Sequence, residues 1–173
     1  MKQTIHAIAA KLSQLATWTI RLALLLLLTV SGFGALPALA DNYAKEILIN
    51  QDFSGRDLRD SNFTKANLLR VNFSHADLRG VSFFAANLEA GNLEGADFRS
   101  ATLDSARFVD ANLTNANLEG AFAFSAQFQG ATIDGADFTD VDLRDDTQAM
   151  LCQIAKGTNP VTKRNTRETL NCA

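Results

Sequence analysis

The sequence predicts an all-β solenoid of four-sided coils, closed by a short N-terminal cap and a helical C-terminal cap. Three observations carry this reading. From Phe53 to Leu143 every fifth residue is large and apolar, nineteen positions with Ala123 as the one exception. Two residues before each of them the side chain is mostly small, and twelve of those nineteen are Ala. The tripeptide Asp57-Leu58-Arg59 recurs as Asp77-Leu78-Arg79 and as Asp97-Phe98-Arg99, a spacing of twenty. A period of five fits neither a helix at 3.6 nor a long flat strand at 2, so the repeat decides the fold.

Residues 1–40 read as a signal peptide. Lys2, Lys11 and Arg21 are the charged residues before Asp41, and all are positive. An apolar run from Leu22 to Val30 follows, then Gly32, Gly34 and Pro37, then Ala38-Leu39-Ala40. A basic start, a short apolar centre and a small-x-small ending describe a secretory leader cut after Ala40. With no Arg-Arg pair, the general secretory route is expected. The rival reading is an uncleaved anchor, because residues 22–40 carry no charge and just reach across a bilayer. Only in that reading does the protein touch a membrane. From Asp41 onward thirteen basic residues face nineteen acidic ones, and no Trp remains. That balance argues against a general nucleic-acid binder.

Residues 41–50, short and amphipathic, are assigned to an N-terminal cap. From 51 to 145 the unit itself can be read physically. The small and the large residue are two apart, so in extended backbone both point to one side, and the short polar residue between them points away. The other two positions are rich in Gly, Ser, Asp and Asn, which tolerate corners. One unit buries nothing alone, whereas stacked coils bury a continuous column. Four sides of five residues make one coil of twenty, which stacks the three Asp-x-Arg tripeptides as ladders on one face.

Units such as Ala76-Asp77-Leu78, Ala111-Asn112-Leu113 and Ala136-Asp137-Phe138 resemble the A(D/N)LXX motif of the pentapeptide repeat proteins. The resemblance covers residues 51–145 in nineteen tandem copies. It implies a right-handed four-sided parallel β-helix of almost five coils, a rod of roughly 23 Å at the inter-strand spacing. Gln51 and Arg56 at the small position and Ala123 at the large one depart from the motif. The first two are read as a frayed starting coil.

Residues 146–173 are assigned to the C-terminal cap. Thr147 to Lys156 reads as a helix with Asp146 or Thr147 as N-cap and Gly157 as stop. Asn165 to Glu168 looks like a capping box opening a second, short helix. The pattern resembles the caps of exported cyanobacterial and chloroplast-lumen pentapeptide proteins. Six Asp residues between Asp134 and Asp146 face a tail carrying Lys156, Lys163, Arg164 and Arg167 against Glu168. Exposed pairs contribute only ~0.2–1 kcal/mol each, so Met150, Leu151, Ile154 and Leu170 are expected to supply most of the docking. Cys152 and Cys172 both lie here. In an exported chain they suggest a disulfide; a dithiol metal or redox pair is the alternative, without a CxxC spacing or a nearby His to favour it.

Three further features invite a functional reading. His75, beside Ser74 and Asp77, falls at a corner, where a triad would need a convergent pocket that a filled rod does not offer. The Asp134–Asp146 cluster could supply oxygen ligands to calcium, but lacks EF-hand spacing. Phe84, Phe122 and Phe124 are the odd aromatics, none at an inward position. Either one of Phe122 and Phe124 folds in to fill the space that Ala123 leaves, or these rings form an exposed interaction face. No cofactor, metal site, catalytic set or small-molecule substrate is expected. The favoured reading is a non-enzymatic scaffold or interaction rod with an unidentified protein partner, exported to a thylakoid lumen or periplasm. The alternative implied by the family is a DNA mimic acting on DNA gyrase, which export to another compartment disfavours.

Overall fold

A computed structural model describes residues 41–173. The leader and its alternative, an anchor, lie outside the described residues. Among those described, no helix is long and apolar enough to cross a membrane.

The backbone makes single parallel pairings at a constant offset of twenty, from Asn42 with Asn62 to Phe122 with Asp142. Each unit is a short extended side followed by a corner, and four units make a coil. The small and the large residue point inward together, as alternation in extended backbone requires. From Phe63 to Phe138 the large residues are buried, and so is almost every Ala two positions earlier.

The corners explain the motif's polar letter. The fifth residue of nearly every unit has φ near +60°, including non-glycines such as Lys65, His75 and Asn115. That region costs an ordinary side chain about 1–2 kcal/mol. The turn is closed by bonds such as Ala66 N–H to the Phe63 carbonyl, 3.0 Å. The Asn or Asp at the second position adds a local acceptor. Asn62 Oδ1 takes the Thr64 N–H at 3.0 Å, Asn117 Oδ1 the Glu119 N–H at 3.0 Å, and Asp137 Oδ1 the Thr139 N–H at 3.0 Å. The same side chains join along the rod, Asn112 Nδ2 to Asn92 Oδ1 at 3.2 Å and Asn92 Nδ2 to Asn72 Oδ1 at 3.3 Å. One side chain therefore fixes its own corner and ties two coils.

Inside, aromatic rings form a continuous series. Tyr43 stacks on Phe63 and Phe63 on Phe83, while Phe53 stacks on Phe73, with centroids 4.7, 5.2 and 5.2 Å apart. Edge contacts cross between these two opposite sides, as between Phe53 and Phe63 at 5.8 Å. At Phe98 the rings pass to the other pair of sides, and Phe108 stacks on Phe128 at 5.1 Å. Alternating Phe with Leu around each coil lets rings and branched chains interdigitate at native packing density.

Residues 41–50 differ from the cap assigned to them. They are two further units of the solenoid, with Tyr43 and Leu48 in the large column and Asn42 and Ile47 paired to Asn62 and Asn67. The substituted small positions then make sense together. Asp41, Glu46, Gln51 and Arg56, the four small positions of the first coil, are polar and exposed, whereas Ser61, Ala66, Val71 and Ala76 above them are buried. Arg56 lies over the Phe53 ring at 5.2 Å and the Tyr43 hydroxyl donates to Asp41 Oδ2 at 3.0 Å. This polar rim finishes the N-terminal end, where an apolar edge would recruit another chain. Gln51 and Arg56 belong to a formed coil rather than a frayed one.

At the other end α1, Asp145–Ile154, starts and stops two residues earlier than its sequence pattern indicates. Arg144 flanks it in extended conformation, and Asp145 and Asp146 occupy the first turn, where the helix dipole favours them. The helix ends at Ile154, where Ala155 turns to extended backbone, and the Lys156 carbonyl that follows accepts the Gly135 N–H at 2.8 Å on the open coil edge. Gly157 follows at φ +83°, and a Cβ there would stand 2.8 Å from the Gly135 nitrogen. The short α2, Thr166–Thr169, is opened by Asn165, whose side chain accepts the Arg167 N–H. Leu151 and Leu170 are buried and Met150 is partly so, while Ile154, expected to dock, stays 42% exposed.

Candidate interaction face

Phe84, Phe122 and Phe124 lie on one side of the rod, in the units 81–85 and 121–125 that are two coils apart. They are 40%, 57% and 52% exposed. Neither neighbour folds in beside the buried Ala123. Both rings stay outside, so the cavity-filling alternative does not hold. Phe122 occupies the second position, where Asn or Asp would hold the corner, and offers the Phe124 N–H no acceptor.

That corner is irregular. In every stacked unit except 101–105 and 121–125 the fifth-position N–H reaches the fourth-position carbonyl of the coil above, as Ala85 N–H does to Asp104 O at 3.0 Å. Among the described residues the equivalent bond from Ser105 to Phe124 is not made. Instead the Ser125 N–H donates to Asp104 Oδ1 at 2.9 Å, and Ser125 does not share the left-handed φ of the other corners. Two exposed rings therefore sit on a corner whose backbone departs from the ladder.

The neighbouring side carries the charge ladder. Arg59, Arg79 and Arg99 grip Asp57, Asp77 and Asp97 within their own units at 2.6 Å, and Arg59 and Arg79 also reach the Asp of the next coil at 3.6 and 3.7 Å. The Arg59 fork holds the Asp57 carboxyl down to about 2, and Arg79 lowers Asp77 likewise. The Asp column is thus neutralised along its length. At 117–119 the pattern becomes Asn-Leu-Glu, and at 137–139 the third place is Thr139. There the cap supplies the missing cation: Arg164 Nη1 meets Asp137 Oδ2 at 3.2 Å and Thr139 Oγ1 at 2.7 Å, and Arg164 also reaches Glu119.

A polar groove of about 430 Å³ runs where the 159–164 segment overhangs this side, lined by Asp97, Arg99, Asn117, Glu119, Thr162 and Arg164 among others. Its charged groups are engaged in the pairs just described. His75 is not part of it. The imidazole lies over the corner of the next coil, where a Cβ on Gly95 would meet Nδ1 at 2.5 Å.

A family model described as pentapeptide repeats (8 copies) matches residues 48–84, 82–120 and 106–145. The chain belongs to the pentapeptide repeat family. Solved pentapeptide repeat proteins are right-handed quadrilateral β-helices, and the offset of twenty is their register. A crystal structure of a pentapeptide repeat protein from the Arabidopsis thaliana thylakoid lumen is similar over 75% of this chain and 90% of its own, with 45% identity and a TM-score of 0.73. HetL, a pentapeptide repeat protein involved in heterocyst differentiation regulation in Nostoc sp. strain PCC 7120, is 27% identical over 55% of this chain and 48% of its own, TM-score 0.45. A further pentapeptide repeat protein from Nostoc is 24% identical over 60% and 84%, TM-score 0.36. A sequence comparison with curated proteins returns no match.

Other candidates from the sequence fall into place on the pentapeptide coils. The six Asp residues of 134–146 are not gathered around one point: Asp134 pairs with Lys156 at 3.2 Å, Asp137 with Arg164, and Asp146 with Arg144. Among the described residues no group of three or more potential ligands could hold a metal. Cys152 and Cys172 are joined, Cα atoms 5.6 Å apart. Sequence reasoning missed Asn159. It is fully buried, its Nδ2 donating to the carbonyls of Asn115, Ala116 and Gly135 at 3.1, 3.3 and 2.9 Å, its Oδ1 accepting from Val161 and Thr162. Asn-Pro reads locally as a turn signal, and nothing local marks a side chain that reaches back forty residues.

Proposed function

We propose that this pentapeptide repeat protein is a non-enzymatic interaction rod that works in an exported compartment, a thylakoid lumen or periplasm. The observation that carries the reading is the set of exposed rings, Phe84, Phe122 and Phe124, on one side of a solenoid whose interior is filled with its own side chains. Exposed apolar patches on soluble proteins mark contact sites, and aromatic anchors dominate contact energies. The compartment is supported by the leader-like residues 1–40, by the likeness to a thylakoid-lumen protein, and by the Cys152–Cys172 bond, which suits an oxidising environment. The neutralised Asp ladder speaks against a duplex mimic, which needs uncompensated negative charge.

The test is affinity capture from fractionated host cells with the parent protein and a Phe84→Ser, Phe124→Ser variant. The variant should fold and melt nearly as the parent, yet fail to retain the parent's partner. If it loses several kcal/mol of stability and still captures the partner, the rings are packing residues and the interaction face lies elsewhere.

A further inference from the structure

Phe84, Asp104 and Phe124 are the fourth-position residues of three successive coils on one side. Two inter-coil spacings separate the aromatic positions, roughly 10 Å, with the carboxylate between them. Asp104 is half-buried. Its Oδ1 accepts the Ser125 N–H at 2.9 Å and its Oδ2 a long bond from the Ser105 hydroxyl at 3.4 Å. Among the described residues it makes no ion pair, and neither do Asp142, which pairs by backbone with Phe122, nor Asp145 at the start of α1. Of the cations around it, Arg107 in the next unit is held by Glu89 at 2.8 Å and by Gln127, Arg144 is held by Asp146, and Lys65 lies one coil below Phe84 on the far side from Asp104.

The chemistry of this column is specific. An uncompensated carboxylate held by a backbone N–H lies between two aromatic positions, with further unpaired Asp beside the third ring. A cation midway between the rings would stand about 5 Å from each, within the ~6 Å reach of a cation–π contact. It would also meet the free lone pairs of Asp104. An anionic or purely apolar partner would leave that carboxylate desolvated and unpaired. We propose that Asp104, seated between Phe84 and Phe124, receives an arginine or lysine side chain from an otherwise apolar segment of a partner protein. This rests on the interaction-rod reading and adds the chemistry of the partner.

The probe is a fluorophore-labelled peptide of leucines around a single arginine, titrated onto the full chain, with central glutamine and glutamate versions as controls. The arginine peptide should bind about tenfold more tightly than the glutamine one, and glutamate should bind worst. Asp104→Asn still offers an oxygen to the Ser125 N–H, and Phe84→Leu keeps apolar area without the ring face. Asp104→Asn should bring the arginine peptide's affinity down to that of the glutamine peptide on the same variant, and Phe84→Leu should reduce the ratio between them. Equal binding of the arginine and glutamine peptides, or a preference that survives Asp104→Asn, overturns the proposal. So does failure of every peptide to bind; if host-cell capture still depends on Phe84 and Phe124, the interaction rod survives without its cation seat.

Discussion

The Asp57–Arg59 unit shows how much a single position can be asked to do. Its aspartate accepts the Arg59 N–H through Oδ1, closes a fork with the guanidinium and lies below the next Asp-x-Arg pair. That hydrogen bonding holds the Asp57 carboxyl at about 2 and draws Asp77 below the ordinary range. A carboxyl lowered in the folded state contributes stability that is fully present above its unfolded value near ~3.9 and is lost as pH falls through the folded one. Melting should therefore be flat above about pH 4 and decline toward pH 2, modestly, because these pairs are exposed to water. A carboxyl-carbon NMR titration should give Asp57 a midpoint of about 2 and return it toward the ordinary value in Arg59→Gln. An ordinary midpoint in the parent would remove the fork from the account.

At the level of elements, the C-terminal segment is held by a few bonds of long reach. Thr169 Oγ1 takes the Phe138 N–H at 3.1 Å, Gln148 Nε2 donates to the Leu170 carbonyl at 2.6 Å, and Asn159 serves three carbonyls of two coils. Asn159→Ala leaves buried acceptors unmet and should cost about 1–3 kcal/mol. Hydrogen exchange should quicken first at Gly135 and Phe138, with the amides of Phe73 to Leu93 unchanged. Uniform acceleration along the rod would mean that cap and coils unfold as one. The sequence made the coils legible because each unit repeats the same local demand: two inward residues, one side-chain acceptor, one left-handed corner. It was less informative wherever the demand came from far away. The first two units, 41–50, have polar residues at the small positions because they form an end, so a test for Ala rejects them. The limits of α1 depend on the coil edge that claims Lys156. Phe122 and Phe124 stood out as aromatics in the wrong column, but the shifted corner beneath them follows from Asp104, a coil away in space and twenty residues in sequence.

For the molecule as a whole, the two ends are finished differently. The first coil closes itself with Asp41, Glu46, Gln51 and Arg56, whereas the last is covered by a separate segment that also completes the charge ladder through Arg164. Between them the coils are joined by hydrogen bonds that run from each side to the side above. Those bonds lie parallel to the rod, which makes the fold a mechanical object of a particular kind. Tension applied through the termini loads one rung of contacts at a time instead of shearing a whole sheet. Pulled in an optical trap, the rod should lengthen in successive steps of roughly 65 Å, the contour of one twenty-residue turn less its own height. The tether between Cys152 and Cys172 should withhold the residues it encloses until a reductant is added. A single rip spanning all the coils would show that the continuous aromatic interior, rather than the rungs, bears the load.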